Sequence, residues 1–295
     1  MKQVSFISYS SLDQKIETAI ERIKCFENKA IEYNPAGYYL AYSGGKDSDV
    51  ILKLTELSGV KFHAHYNLTT VDPPELVRRV KMDKRINIEK PKYTMWQLIK
   101  KKKYPPTRIA RYCCEYLKEK GGNGQFVITG IRWQESPKRK NRRASIELNA
   151  MKSYVNLIND NTKGRRMIEN CKMRSKHILN PIIEWSTNDI WEFIKKYKID
   201  YCKIYDEGFT RLGCIGCPLA GHFNMKREFK RYPKYKEMYI RAFDEMIKLR
   251  VEKGLKTDWK NGQEVFDWWI TPTKQKNIIM KNQINFFEGV DVNGK

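Results

Sequence analysis

From Ser11 onward the apolar positions Ile16, Ala19, Ile20, Ile23, Ala30 and Ile31 recur at helical spacing, and Ser11 with Gln14 makes a capping-box start. The pattern predicts a first helix running up to Asn34-Pro35. Tyr38 to Tyr42 reads as a short buried strand, followed by a glycine-rich turn and a helix from about Asp49 to Leu57 that ends at Ser58-Gly59. Val60 to Tyr66 is the next strand, Pro73-Pro74 opens a helix towards Met82, Arg85 to Ile88 is a third strand, and Thr94 to Lys103 is another helix. Strands and helices alternating at these lengths predict an α/β fold built on a doubly wound parallel sheet.

After Pro105-Pro106 the pattern gives a helix broken at Gly121-Gly122, then a fourth strand from Gln125 to Thr129 leading into Gly130-Ile131-Arg132. Glu135 to Lys176 is polar and basic without a clear period, so it reads as a long excursion, expected to be mobile while nothing is bound. His177 to Leu179 is a last strand, and Ser186-Thr187 caps a helix through Tyr197. Beyond about Asp200 the pattern changes to a loop, a long helix after Pro233 that stops near Gly254, and an aromatic tail. The expected division is residues 1–199 as the α/β domain, with a basic excursion near 135–176, and residues 200–295 as a smaller, mainly helical part.

At 41% hydrophobic and 12% aromatic residues, the 295-residue chain can bury a full core, which excludes wholesale disorder. No stretch approaches the roughly 18 to 20 consecutive apolar residues of a membrane span, and the first residues lack a signal-peptide core. A cytoplasmic location without membrane attachment is expected. There the seven cysteines are not expected to pair as disulfides. With 57 Lys and Arg against 34 Asp and Glu the net charge is +23, which suits a phosphate-rich partner and is equally the composition of a Lys- and Asn-rich genome.

The turn Ser43-Gly44-Gly45-Lys46-Asp47-Ser48, at a strand end opening a helix, has the chemistry of a phosphate site. Glycines let backbone approach an anion, the helix start offers free N–H groups, and Lys46 supplies charge. Only Gly45-Lys46 matches a Walker A loop. A second signal comes from the cysteines: Cys113 and Cys114 are adjacent, and Cys214 and Cys217 form a Cys-x-x-Cys. Four thiolates suit a four-iron four-sulfur cluster or tetrahedral zinc. Adjacent side chains reach two irons of a cubane more naturally than one zinc ion, so the cluster is preferred over zinc, with unliganded thiols third. Cys25, Cys171 and Cys202 are expected in the core.

The loop resembles the PP-loop of the ATP pyrophosphatases, which cleave ATP between the α and β phosphates. By that resemblance Ser43, Gly44, Gly45, Asp47 and Ser48 cradle pyrophosphate or its equivalent. Together with the cysteines, Thr129-Gly130-Ile131-Arg132, Glu135-Ser136, Leu179 to Trp185, Asp189-Ile190-Trp191, Tyr205 to Phe209 and Gly213-Cys214, the chain from about Tyr38 to Pro218 resembles the phosphoadenosine phosphosulfate (PAPS) reductase family. The resemblance implies an adenine nucleotide α-hydrolase-like fold, substrate phosphates met by Gly130 and Arg132, and iron–sulfur ligation by Cys113, Cys114, Cys214 and Cys217. Two departures favour its ATP-using branch, which includes sulfate adenylyltransferase small subunits and the ATP pyrophosphatase component of DNA phosphorothioation systems. No cysteine follows Cys217 to supply a reductase's Glu-Cys-Gly-x-His tail, and Asp47 completes a loop that reductases tend to lose. The expected ligands are then ATP, or an adenine sulfonucleotide, with Mg²⁺ held by Asp47. Lys46, Asp47 and Arg132 are the candidate catalytic residues.

Between Leu98 and Arg143 there are 14 Lys and Arg against 3 Asp and Glu, a local excess of +11 beside Arg132 and the cysteine pair. A nucleic-acid partner is expected from it, the alternative being a purely nucleotide-sized anionic substrate. Trp259, Trp268, Trp269, Phe286 and Phe287 are read as packing residues rather than base-stacking ones. None of His63, His65, His177 and His222 is assigned a catalytic role, and His65, Tyr66 and Asn67 are candidates for nucleoside contact by fold position. The leading expectation is an enzyme that adenylylates an acceptor, possible acceptors including nucleic acid, so that a sulfur donor, such as a cysteine desulfurase, displaces the adenylate. The alternatives are a sulfonucleotide reductase that borrows its thiol from a partner, and a nucleic-acid-binding module with a structural metal.

Overall fold

The computed structural model describes residues 11–118, 121–135, 140, 143–150, 153–158 and 176–271. They form two compact units, each with its own core. The first comprises the described residues within 1–68, 74–90 and 120–212; the second comprises those within 69–73, 91–119 and 213–295.

The first unit is built on a seven-stranded sheet in the order β3-β2-β1-β4-β7-β5-β6. Its strands are β1 (Tyr38–Tyr42), β2 (Phe62–Asn67), β3 (Ile86–Glu89), β4 (Phe126–Ile128), β5 (Ile146–Ala150), β6 (Ser153–Ile158) and β7 (Lys176–Leu179). The five strands β3-β2-β1-β4-β7 pair in parallel, with Leu40 opposite Ala64 on one side and Ile128 on the other. Central parallel strands are covered on both faces, which is why β1 is an almost unbroken buried run, Tyr-Tyr-Leu-Ala-Tyr. Around them lie α1 (Ser11–Cys25), α2 (Glu27–Tyr33), α3 (Lys46–Ser58) and α4 (Pro74–Met82). The doubly wound expectation holds.

Three local expectations need correction. The first helix is two helices, because the chain turns at Phe26 (φ −114°, ψ 10°) to bury that ring 5.9 Å from Phe126. The periodic pattern continues through the break, so period alone does not reveal it. Cys25, at the end of α1, is exposed and not a core residue, whereas Cys202 is buried as expected. The excursion after Glu135 also contains regular structure: β5 pairs antiparallel with both β6 and β7, extending the parallel sheet by a hairpin. Cys171 lies outside the described residues.

The second unit contains α5 (Met95–Lys102) and α6 (Tyr112–Leu117); the first unit resumes with α7 (Thr187–Lys196). Thr94 caps α5 and Ser186 caps α7, each through a complete capping box. The second unit continues with α8 (His222–Arg231), α9 (Pro233–Glu252) and α10 (Gly262–Trp269). Its core joins Val71, Leu98, Ile99, Tyr112 and Leu117 to Phe229, Tyr239, Phe243, Phe266 and Trp269. The compact units therefore cross the sequence division at residue 200: residues 69–73 and 91–119 send their apolar side chains into the later core, and residues 200–212 stay with the sheet. Trp259, Trp268 and Trp269 are buried in that core, as packing residues should be; Phe286 and Phe287 lie outside the described residues.

Candidate functional site

The strand order reverses direction between β1 and β4, and ligands of doubly wound sheets bind in the crevice beyond the carboxyl ends at such a point. The loop after β1 is Ser43-Gly44-Gly45, and the segment after β4 is Thr129 to Arg132. Both candidate phosphate segments thus emerge at the switch point. Gly44 has φ +73°, and a Cβ there would stand 2.5 Å from Leu76, so both its conformation and its space require glycine. Gly130 packs so tightly on the start of α3 that a Cβ would lie 3.0 Å from the Asp47 carbonyl oxygen.

The charged residues meet as one network. Arg132 is 3% exposed, and its Nε donates to Asp47 Oδ1 at 2.6 Å while its Nη1 donates to the Trp185 carbonyl and to Gln134. Lys46 Nζ lies 3.1 Å from Asp47 Oδ2 and 3.3 Å from the Thr210 carbonyl. Two cations therefore flank one carboxylate, leaving an excess of positive charge where anionic oxygens would sit. Ser48 Oγ donates to the Gly45 carbonyl and accepts from Ser43, which holds the turn in register.

Tyr205 is a contributor whose role the sequence did not disclose. Its hydroxyl accepts the backbone N–H of Lys46 at 3.0 Å, and its ring lies 5.4 Å from Lys46 Nζ. Burial pushes its phenol well above the ordinary range, so it stays protonated. In the sequence only the neighbourhood Tyr205 to Phe209 stands out; the contact spans 159 positions of sequence.

The histidines of β2 form a chain. His63 Nδ1 lies 2.6 Å from His65 Nε2, and His65 Nδ1 lies 2.7 Å from Glu89. Tyr39 stacks on His65 at 4.4 Å. Burial, and then the neighbouring His65, lower the His63 pKa. His177 is a packing residue between Phe126 and Tyr33.

In the second unit the four cysteines are neighbours. Cys113 donates to Cys114, which raises the Cys113 thiol and pulls Cys114 down to about 6, with Arg111 and Lys118 adding to the pull. The Cys113 thiol also feels Cys214 and Cys217, and Lys118 is held protonated chiefly by Cys214. Cys214 Sγ contacts Thr69 Oγ1 at 3.4 Å, and the Ile215 N–H donates to the Val71 carbonyl, anchoring the turn. A sulfur-only donor set is of the kind that a thiophilic metal group takes. Among the described residues no three His, Cys, Asp or Glu side chains converge on one ion.

Residues 37–220 match the family model described as the phosphoadenosine phosphosulfate reductase domain. This span is more than half of the chain, and the chain belongs to that family. An uncharacterized protein of Methanocaldococcus jannaschii is 26% identical over 245 residues, 76% of this chain and 46% of its own length. A second from the same organism is 23% identical over 94% of this chain and 66% of its own length. The adenosine 5′-phosphosulfate reductase of Staphylococcus haemolyticus is 26% identical over 45% of this chain and 48% of its own length. The chain thus spans about half to two thirds of the length of these curated relatives. Among solved structures, the phosphate complex of Candida auris PAPS reductase is similar with a TM-score of 0.44 and 19% identity, over 70% of this chain and 97% of that one.

Proposed function

We propose that this chain is an ATP pyrophosphatase of the PAPS reductase family that adenylylates an acceptor, with nucleic acid as the favoured acceptor, and so prepares it for sulfur transfer. The observation that carries this reading is the Lys46–Asp47–Arg132 network at the switch point, an intact loop with its carboxylate in place. The acceptor oxygen attacks the α-phosphorus of ATP, a new P–O bond forms, and the bond to the bridging oxygen breaks to release pyrophosphate. Lys46, Arg132 and the loop N–H groups stabilise charge growing on the phosphate oxygens. Hydrosulfide, released from the persulfide of a donor protein such as a cysteine desulfurase by a second thiol that closes a disulfide with it, then attacks the acceptor atom bearing the adenylylated oxygen; a bond to sulfur forms, and that oxygen leaves with AMP and the bonding electrons.

Two groups complete the proposal. Asp47 would hold Mg²⁺, which neutralises phosphate charge when bound. Cys113, Cys114, Cys214 and Cys217 would hold a four-iron four-sulfur cluster, which supplies iron–sulfur chemistry when bound; zinc is the alternative. A second reading is favoured by the adenosine 5′-phosphosulfate reductases among the relatives: reduction of a sulfonucleotide with a partner's thiol.

Pyrophosphate release from ATP with Mg²⁺, assayed across candidate nucleic acids, tests the first reading. The wild-type chain should release pyrophosphate, and Asp47→Ala should lower the rate by at least about 100-fold, the scale of losing a positioned electrostatic group. Arg132→Ala should do likewise. Equal rates in wild type and Asp47→Ala would refute the assigned role, and sulfite formation from a sulfonucleotide with added thiol would move the assignment to the second reading.

A further inference from the structure

Helix α8 begins five residues after Cys217, and its two faces differ in kind. Met225 and Phe229 are buried in the core of the second unit. The opposite face carries Phe223, 80% exposed, then Lys226 and Lys230, both exposed, at the i, i+3, i+7 spacing that aligns side chains on one stripe. A phenyl ring so exposed contributes little by burial, and its apolar face is open to a partner. Lys226 and Lys230 take part in no ion pair, hydrogen bond or ring contact with another described residue. The stripe is thus a bare aromatic ring followed by two uncommitted cations about 6 Å apart along the helix axis.

The helix is fixed to the thiol turn. Its Glu228 carboxylate accepts the Gly216 N–H at 2.7 Å, and Phe229 fills the space beside Gly216, where a Cβ would stand 2.4 Å from the ring. Whatever engages the stripe is therefore held in register with Cys214 and Cys217.

We infer that this face of α8 binds a single-stranded or locally unpaired nucleic acid, with Phe223 stacking on one base and Lys226 and Lys230 on the neighbouring phosphates. The inference rests on the nucleic-acid reading above and gives it a surface. Charge complementarity selects the occupant, since two unpaired cations in a chain of net charge +23 suit a polyanion. The ring selects within polyanions, because stacking needs a planar base that is not already stacked in a duplex. An acidic protein surface would satisfy the lysines and leave the ring without a partner.

Fluorescence anisotropy of a labelled single-stranded oligonucleotide, at several salt concentrations and with the full chain purified anaerobically, tests the inference. Phe223→Ala should weaken binding about tenfold with an unchanged salt slope, and Phe223→Trp should restore it. Lys226→Gln with Lys230→Gln should lower the log–log salt slope by about 1.4 while the ring is retained. Because all three side chains are exposed, thermal unfolding should be unchanged in every variant, which separates a lost contact from a lost fold. Oligonucleotide binding that ignores these substitutions would overturn the inference and leave the nucleic-acid reading standing. No salt-sensitive oligonucleotide binding by the wild type would overturn both, and binding of poly-glutamate in preference to oligonucleotide would assign the face to an acidic protein.

Discussion

Asp49 shows how a single residue can tie the loop helix to the fold. It lies in the first turn of α3 with its side chain 1% exposed, and Oδ1 accepts from the Tyr42 hydroxyl and from both Arg79 terminal nitrogens. Arg79 also reaches Asp200. Burial pushes the Asp49 carboxyl up to about 6, and Arg79 only partly offsets this. A carboxyl whose folded pKa is raised binds protons in the folded state that the unfolded chain has already released. Its contribution to stability is therefore present below the unfolded pKa near 4 and is lost as pH rises through about 6. Relative to Asp49→Asn, which cannot ionise, wild-type stability in urea should fall by on the order of 2 to 3 kcal/mol between pH 4 and pH 8. A difference between the two proteins that stays constant over that range would contradict this account.

At the scale of elements, the Cys214–Cys217 turn depends on tertiary packing at one glycine. Gly216 has φ +73°, and a Cβ would meet Phe229 of α8 at 2.4 Å and Trp269 of α10 at 3.0 Å. Ring and indole sit in the core of the second unit and cannot give way cheaply. Gly216→Ala should therefore cost about 2 to 4 kcal/mol, combining left-handed strain with overpacking. If the four cysteines hold four irons, iron content after anaerobic purification should drop with it, whereas Gly254→Ala, also at positive φ but with nothing within 4 Å, should cost less and retain iron. Equal stability and iron in both variants would show that the turn is not held as described. The loop, β1, α4 and the capped helices α5 and α7 were legible because period, Pro and capping boxes are local signals. The break at Phe26 and the β5–β6 hairpin were not, since one is decided by a distant ring and the other by a parallel sheet edge that accepts antiparallel strands.

For the whole molecule the net charge of +23 and the excess between Leu98 and Arg143 concern long-range attraction rather than fold. Part of that stretch, including Lys138, Arg139 and Arg142, lies outside the described residues, while Arg143 lies within them. Neutralising Lys138, Arg139, Arg142 and Arg143 to Gln should flatten the salt dependence of nucleic-acid binding by up to about 3.6 units on a duplex. Pyrophosphate release from ATP alone should stay near the wild-type rate. An unaltered slope would make that stretch a solvated surface and its charge a matter of composition.

The sequence by itself determined the parallel α/β class, the glycine-rich loop and the two cysteine pairs, because each is written in neighbouring residues: a buried run, a glycine turn at a helix start, thiols at short spacing. It also marked Arg132, whose partner it could not name. Only the tertiary structure decided that Asp47 faces Arg132 and Lys46, that Tyr205 holds the Lys46 N–H, that His63 and His65 share a hydrogen-bonded chain with Glu89, and that the Cys113 thiol senses Cys214 and Cys217. It likewise decided that residues 69–73 and 91–119 belong to the later core. Each of these is a contact between segments whose distance along the chain carries no periodic signal, so burial and pairing in three dimensions, and not local propensity, select it.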